Sequence, residues 1–182
     1  MTKVKEPESY IRLLPDTVID KIAAGEVIER PASVVKELLD NSIDAGADHI
    51  ELIIEQSGRT LIQVIDNGCG MSEVDLERCF TRHATSKIQA LDDLFAIRTM
   101  GFRGEAMSSI SSISQVEAKS KLHDHDAGWM LRLHGGELKQ KSPVATKNGT
   151  QITVRNLFFN VPARRQFLKT DATEFRHILK TV

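Results

Sequence analysis

Three polar side chains fall on one face of a predicted helix in the first quarter of the chain. Glu37, Asn41 and Asp44 are spaced by four and then three residues, and Asp40 lies beside them. Residues three or four positions apart are neighbours on a helix surface. A carboxylate can orient or deprotonate an attacking water, and an amide oxygen can bind Mg²⁺ without adding charge. Glu37 is therefore a candidate general base and Asn41 a candidate metal ligand.

A solvated helix face is the alternative explanation for these charges, and it is the usual one for such a pattern. Against it, Asn41 and Ser42 are poor residues for a helix interior, because their side chains compete for backbone hydrogen bonds. The helix is predicted to begin at Pro31 and to end just before Gly46. Its apolar stripe at helical spacing consists of Val35, Leu38, Leu39 and Ile43.

A second acidic residue ends an apolar strand and opens a glycine loop. Strand alternation places Asp66 on the same face as Ile62 and Val64. An apolar face that ends in one acceptor suits adenine, because the ring is buried while the carboxylate accepts from the N6 amino group. Gly68 and Gly70 would let the backbone approach a ligand closely. An ordinary Asp-Asn-Gly turn explains this motif equally well when it is taken alone.

A glycine-bracketed turn that opens a helix is a candidate phosphate-binding segment. Free N–H groups at a helix start form a natural anion site, and an arginine here adds a fixed charge. A plain junction between a loop and a helix is the alternative. The segment consists of Gly101, Phe102, Arg103, Gly104, Glu105 and Ala106.

Two hydroxyls and an ammonium group follow one another at Thr85, Ser86 and Lys87, where they could close over phosphates as a lid. Thr150, which follows Gly149 at the start of a strand, could reach a purine directly or through water. The alternatives are a solvated loop for the first segment and a turn glycine before a β-branched residue for the second.

Composition sets broad limits on the protein. The 182 residues suit one domain, and 24 basic against 25 acidic residues give a net charge of −1, so nothing global demands nucleic acid or an anionic membrane. No apolar run approaches the roughly 20 residues that span a bilayer. Two cysteines argue against a disulfide framework, and we expect a soluble cytoplasmic protein. Spacings that match no common zinc pattern favour structural or surface roles for Cys69, Cys79, His83, His123 and His125.

Helical and strand-like segments are mixed along the chain, and successive strands are joined mainly by hairpins. This order predicts an α+β fold in which helices cover one face of a largely antiparallel sheet. Helices are predicted near residues 16–25, 31–45, 72–80, 91–97, 101–113 and 170–182. Strands are predicted at residues 49–55, 60–66, 115–121, 128–134, 137–141 and 150–155.

Taken together, these motifs resemble the N-terminal ATPase region of the MutL family of DNA mismatch repair proteins. The resemblance covers nearly the whole chain, and its first segment and its Gly-Phe-Arg-Gly-Glu-Ala block are specific to that family. The Asp-x-Gly-x-Gly motif occurs across a wider class of ATPases. The segments that carry the resemblance are residues 22–45, 66–70, 82–87, 101–106, 149–150 and 157–165.

The resemblance implies a Bergerat-type α/β sandwich at residues 23–182, preceded at residues 1–22 by an arm and first helix. ATP and Mg²⁺ are the implied cofactors. Glu37 would be the general base, Asn41 would hold Mg²⁺, and Asp66 would bind adenine with the help of Thr150. The residues implied to shape the pocket, the lid and the phosphate loop are Gly68, Gly70, Thr85, Ser86, Lys87, Gly101, Phe102, Arg103, Gly104, Glu105 and Ala106.

The same resemblance implies a switch that pairs with a second copy of itself when ATP binds. Its implied partners are a mismatch-recognition protein, DNA and a downstream endonuclease or helicase, with no membrane and, in a bacterium, a place near the nucleoid. The resemblance further implies that Val182 lies before a second subdomain, which in the family supplies a lysine to the γ-phosphate. It also implies that the C-terminal dimerisation region follows later. We therefore expect weak hydrolysis by this chain.

Two other functions fit parts of the sequence. One is a DNA-binding module with a vestigial nucleotide site, for which a basic cluster at Arg164, Arg165, Lys169 and Arg176 could contact phosphates. Retention of both Glu37 and Asn41 argues against it. The other is a different ATPase of the same fold, such as that of a topoisomerase or a protein kinase. No phosphoacceptor segment is evident for the kinase.

Overall fold

The computed structural model describes residues 12–85 and 104–182. In these ranges a short 3₁₀ turn at Gln56–Gly58 joins the first two strands. The helices are α1 (Asp16–Val27), α2 (Pro31–Asp44), α3 (Glu73–Arg78), α4 (Ala106–Ser112), α5 (Pro162–Phe167) and α6 (Asp171–Leu179). The strands are β1 (Ile50–Glu55), β2 (Leu61–Asp66), β3 (Gln115–Lys121), β4 (Gly128–His134), β5 (Glu137–Val144) and β6 (Gly149–Arg155).

The six strands form one sheet in the order β1-β2-β6-β3-β4-β5, and every neighbouring pair is antiparallel. A shift in register between Arg132 and Leu133 interrupts the pairing of β4 with β5. The α+β class and the antiparallel sheet predicted from sequence are confirmed. Strand β5 continues to Val144, three residues beyond the predicted end at residue 141.

Cross-strand register builds parallel rows of side chains on the face that the helices cover. Residues paired across neighbouring strands point to the same side of a sheet. Two rows are wholly apolar and buried, and the third, at one end of the sheet, is mostly polar. The rows are Ile62, Val154, Val116 and Leu133, then Val64, Ile152, Ala118 and Leu131, then Asp66, Thr150, Ser120 and Trp129. The predicted alignment of Asp66 with Ile62 and Val64 is confirmed.

Helix α2 lies over these rows with a different stripe from the predicted one. Val35 and Leu38 are buried as expected, but Ile43 is 50% exposed, and Ser42 occupies the buried position one turn after Leu38. The predicted ends of the helix are confirmed. Pro31 is its first residue, and Gly46, at φ +73°, donates to the Ile43 carbonyl at 2.9 Å in a C-terminal cap.

The middle of the opposite face of the sheet carries polar and charged side chains. Gln63 Nε2 donates to Thr153 Oγ1 at 2.7 Å, and the Glu117 carboxylate pairs with Lys119 Nζ at 2.9 Å and Arg132 Nε at 2.7 Å. Burial acts to raise the pKa of Glu117, but the hydrogen bonds from the two cations outweigh it, and the pKa lies below its usual value. A charged network therefore stabilises the middle of this face.

The helices differ from the prediction in the start of α4 and in the presence of α5, and one predicted helix cannot be compared. Helix α4 begins at Ala106, and the predicted helix at residues 91–97 lies outside the described residues. Helix α5 was not predicted, because six residues are too few to show periodicity. Its Phe167 is 81% exposed. In the described ranges no helix combines the length and apolar character needed to cross a bilayer.

We predict that Glu117→Gln lowers the free energy of unfolding by about 1 kcal/mol near neutral pH. The folded-state pKa of Glu117 is lowered, so its contribution is present above the unfolded pKa and is lost as pH falls through the folded pKa. The difference between variant and parent should therefore vanish in acid. Urea unfolding near neutral pH and in acid measures this difference, with the exposed Glu51→Gln as the control. An equal difference at both pH values would contradict the assignment.

Candidate functional site

The carboxylate of Asp66 is the centre of the site. It is 8% exposed, at the end of β2, beside the apolar rows of the sheet. Its Oδ1 accepts from the backbone N–H of Gly68 at 3.0 Å and of Thr150 at 3.2 Å, and its Oδ2 accepts from the Ser42 hydroxyl at 2.9 Å. A buried carboxylate needs such donors in place of water. Three separate segments of the chain thus fix its position.

Ser42 ties helix α2 to the end of β2. Its hydroxyl oxygen lies 2.9 Å from Asp66 Oδ2 and 3.1 Å from the Leu38 carbonyl oxygen, and its single proton can be donated to one of them at a time. The charged acceptor gives the stronger bond. The sequence pattern did not single out this role for Ser42. Its position one turn after Leu38, where an apolar residue would continue the stripe, was the available signal.

Ser120 supports Thr150 from the neighbouring strand. Its hydroxyl lies 2.9 Å from Thr150 Oγ1, lies 3.0 Å from the Gly149 carbonyl oxygen, and accepts from Met71 N at 2.8 Å. Ser120 is fully buried. It was not predicted either, although it is the polar residue that ends the buried alternation of β3. It holds the glycine loop and the start of β6 together.

The loop after Asp66 is too closely packed for side chains at its glycines. A Cβ on Gly68 would lie 2.8 Å from Ala45 Cβ, at the end of α2. Gly70, at φ +72°, has no room for a Cβ because the Lys121 carbonyl oxygen at the end of β3 occupies that space. Cys69 N donates to the Ala45 carbonyl at 2.9 Å. The loop is therefore wedged between α2 and β3, which an isolated surface turn would not require.

Glu37 and Asn41 are carried by the same helix as Ser42. Asn41 directly precedes Ser42 and Glu37 lies one turn earlier, and both side chains are half-buried, as is that of Asp44. On the same helix, Lys36 forms an ion pair with Asp40, and the hydrogen bond raises the pKa of Lys36. The partial burial of Glu37, Asn41 and Asp44 contrasts with a fully solvated helix face.

Residues just before the predicted lid contact the end of the predicted phosphate segment. Gly104, at φ +62°, packs against Ala84, and a Cβ on it would lie 2.5 Å from the Ala84 carbonyl oxygen. Glu105 Oε1 lies 3.4 Å from His83 Nδ1, and α4 begins directly after Glu105. Thr85 is half-buried. The remaining predicted residues of these segments, which lie outside the described residues, are Ser86, Lys87, Gly101, Phe102 and Arg103.

The cysteines and histidines give no sign of a metal centre. Burial, assisted by the Asp75 carboxylate, raises the pKa of the Cys79 thiol to about 12, and the thiol contacts the Leu76 carbonyl oxygen. A thiol held protonated in this way is a poor metal ligand. Across residues 12–85 and 104–182, no group of three or more His, Cys, Asp or Glu side chains is placed to hold an ion.

Neither of two cavities in the described ranges is lined by Asp66. One of about 230 Å³ is bounded by Met71, Ser120 and Trp129, so it adjoins the Ser120 network. The other, of about 460 Å³, lies between the end of α1 and helices α5 and α6. We assign the site from the hydrogen bonds around Asp66, because these fix functional groups in space and an open hollow does not.

Comparison with known proteins places these features in a family. Residues 28–160 match the family model described as histidine kinase-, DNA gyrase B- and HSP90-like ATPase. The chain is 59% identical over 174 residues to the DNA mismatch repair protein MutL of Chloroherpeton thalassium, covering 96% of this chain and 27% of that protein. It is 58% identical over 172 residues to MutL of Chlorobaculum tepidum, covering 94% and 28%. The chain thus spans little more than a quarter of these relatives.

Solved structures show the same fold. The N-terminal domain of a DNA repair protein matches with a TM-score of 0.73 and 33% identity over 88% of this chain and 46% of that one. The Aquifex aeolicus MutL ATPase domain, solved in complex with ADP, matches with a TM-score of 0.63 and 34% identity over 85% of this chain and 53% of that one.

We predict that Gly70→Ala disrupts the glycine loop and that Gly46→Ala does not. Both glycines have φ near +72°, so both substitutions carry the same backbone strain, of about 1–3 kcal/mol at most. A Cβ at Gly46 meets no atom within 4 Å, whereas one at Gly70 overlaps the Lys121 carbonyl. Thermal unfolding should show the larger loss of stability for Gly70→Ala. Equal losses would show that the loop is not packed as described.

Proposed function

The chain belongs to the MutL family of DNA mismatch repair proteins and is an ATPase domain of that family, and from this we propose that it is the ATP-binding and hydrolysing switch of its parent protein. The observation that supports this best is the buried Asp66 carboxylate. Ser42, Gly68 and Thr150 hold it at the end of an apolar sheet face. The relative solved with ADP adds support from a protein of the same fold.

Asp66 would select adenine. An ionised carboxylate has about four acceptor positions, and donors in the described chain occupy three of them. The remaining position could accept from the N6 amino group of adenine. Guanine carries an oxygen at the corresponding place, and two acceptors facing each other repel. The site therefore favours ATP over GTP.

Asn41 would hold Mg²⁺ through its amide oxygen. The half-buried Asn41 has Glu37 and Asp44 on the same helix face, and such hard oxygen ligands suit this ion. When bound, Mg²⁺ would offset the negative charge of the phosphates. Glu37 would orient and deprotonate the attacking water. These two residues lie one helical turn apart, so one rigid element would position both groups.

The phosphates would lie at the start of α4, near the segment in which His83 and Ala84 contact Glu105 and Gly104. The lid residues Thr85, Ser86 and Lys87, and a phosphate loop formed by residues 101–106, belong to this proposal. Closing of the first segment over the second would shield ATP from water.

In the parent protein, ATP binding would drive pairing with a second copy and pass a mismatch signal to downstream factors. The proposed partners are a mismatch-recognition protein, DNA, and an endonuclease or helicase, acting in the cytoplasm at the nucleoid. The relatives are mismatch repair proteins, and the chain covers 27% of the first of them. We propose that hydrolysis by these 182 residues is weak without the rest of such a protein.

We predict that Asp66→Asn weakens ATP binding by about tenfold or more. The amide NH₂ group of the new side chain would replace a carboxylate oxygen and face the donors of Ser42, Gly68 and Thr150. Calorimetric titration of the chain with ATP and with GTP measures the effect. Exposed Asp126→Asn makes the same change of charge and should bind ATP like the parent. If Asp66→Asn kept the parent preference for ATP over GTP, Asp66 would not be the adenine acceptor.

We predict that, in the full-length protein, Glu37→Ala retains Mg-ATP binding and lowers single-turnover phosphate release by about 100-fold or more, as expected for loss of a general base. Asn41→Ala is the contrasting variant, since loss of a metal ligand should remove the gain in ATP affinity that Mg²⁺ provides. Phosphate release unchanged by Glu37→Ala would remove Glu37 from its role. If the unsubstituted 182-residue chain bound no Mg-ATP, the DNA-binding alternative would be favoured instead.

A further inference from the structure

His123 contacts the glycine loop from the β3–β4 connection, outside every motif that predicted the site. Its Nε2 lies 3.1 Å from the Gly68 carbonyl oxygen, and its Nδ1 lies 3.3 Å from Asn148 Nδ2. A carbonyl oxygen only accepts, so Nε2 carries the proton and donates to Gly68, while Nδ1 accepts from Asn148. Both ring nitrogens are therefore engaged in a way that fits a single neutral tautomer.

These contacts connect His123, through Gly68 and through Asn148, to the backbone donors of the Asp66 carboxylate. Gly68 donates its N–H to Asp66 Oδ1 and accepts from His123 through its carbonyl oxygen. Asn148 contacts the other ring nitrogen and lies two residues before Thr150, whose N–H donates to the same Asp66 oxygen. His123 thus connects the two segments that supply both backbone donors to Oδ1.

The glycine loop is fixed on its other sides as well. Cys69 N donates to the Ala45 carbonyl at 2.9 Å and Met71 N donates to Ser120 Oγ at 2.8 Å. The His123 bond fixes the Gly68 carbonyl, which these bonds leave uncontacted, and so opposes rotation of the peptide groups beside Asp66. Loss of one neutral hydrogen bond costs about 1 kcal/mol, which corresponds to about fivefold in an equilibrium constant.

We propose that His123 is a positioning residue for the adenine site. It holds Gly68 against the Asp66 carboxylate directly, and through Asn148 it helps to hold Thr150 there. This inference rests on the proposed binding of ATP by Asp66. It assigns His123 no contact with the nucleotide. Its effect is to set nucleotide affinity through the geometry of the acceptor.

The test compares two substitutions of similar size in the 182-residue chain. In His123→Gln the side-chain nitrogen takes the place of Nε2, whereas in His123→Asn it takes the place of Nδ1. Calorimetry with ADP should show parent-like affinity for His123→Gln. It should show affinity about fivefold weaker for His123→Asn and His123→Ala. His125→Ala, an exposed change in the same connection, is the control and should bind ADP like the parent.

Amide hydrogen exchange without nucleotide gives an independent measurement. His123→Asn should speed exchange at the Gly68 amide, because it loses the bond to the Gly68 carbonyl, and His123→Gln should not. Parent-like ADP affinity in His123→Ala, or equal affinity in the Gln and Asn variants, would overturn the proposal. A general loss of stability would affect both polar variants alike and so would count against it. If the unsubstituted chain bound no ADP, the proposed function would be contradicted. The exchange rates would still show whether His123 holds Gly68.

Discussion

A carboxylate buried against an apolar sheet face must be surrounded by hydrogen-bond donors, and the end of this sheet is built to meet that requirement. Asp66 receives its donors from helix α2, from the loop that follows it and from the start of β6. None of these segments can shift without leaving an acceptor unsatisfied, which costs more than the bond itself contributes. The same constraint that stabilises the fold here therefore orients the group proposed to bind adenine.

Sheet register determines which side chains share this end of the molecule. The pairing that aligns Ile62 with Val154 and Val64 with Ile152 also aligns Asp66 with Thr150. A slip of one residue would turn the buried side chains of β2 to the polar face and remove Asp66 from the helix side. Burial of the apolar rows thus determines the position of Asp66, because a change in register that moved Asp66 would also expose the core side chains of β2.

Glycines allow the remaining close approaches. Gly68 lies against the end of α2, and Gly70 lies against the backbone of β3, where a side chain would overlap a carbonyl oxygen. This close packing brings Gly68 within reach of His123 and Met71 within reach of Ser120. The loop therefore belongs to the packed interior on two sides, and its conformation depends on the strands around it.

By itself, the sequence determined the α+β class, the strand limits except the end of β5, the ends of α2 and the face that carries Asp66, because these follow from periodicity and from Pro and Gly at element ends. Ser42, Ser120 and His123 emerged only from tertiary structure, since each acts on a residue distant in the chain. The exposure of Ile43 and the α5 helix were also decided there. Local pattern specifies which way a side chain points along its own element, whereas its partner depends on how separate elements pack.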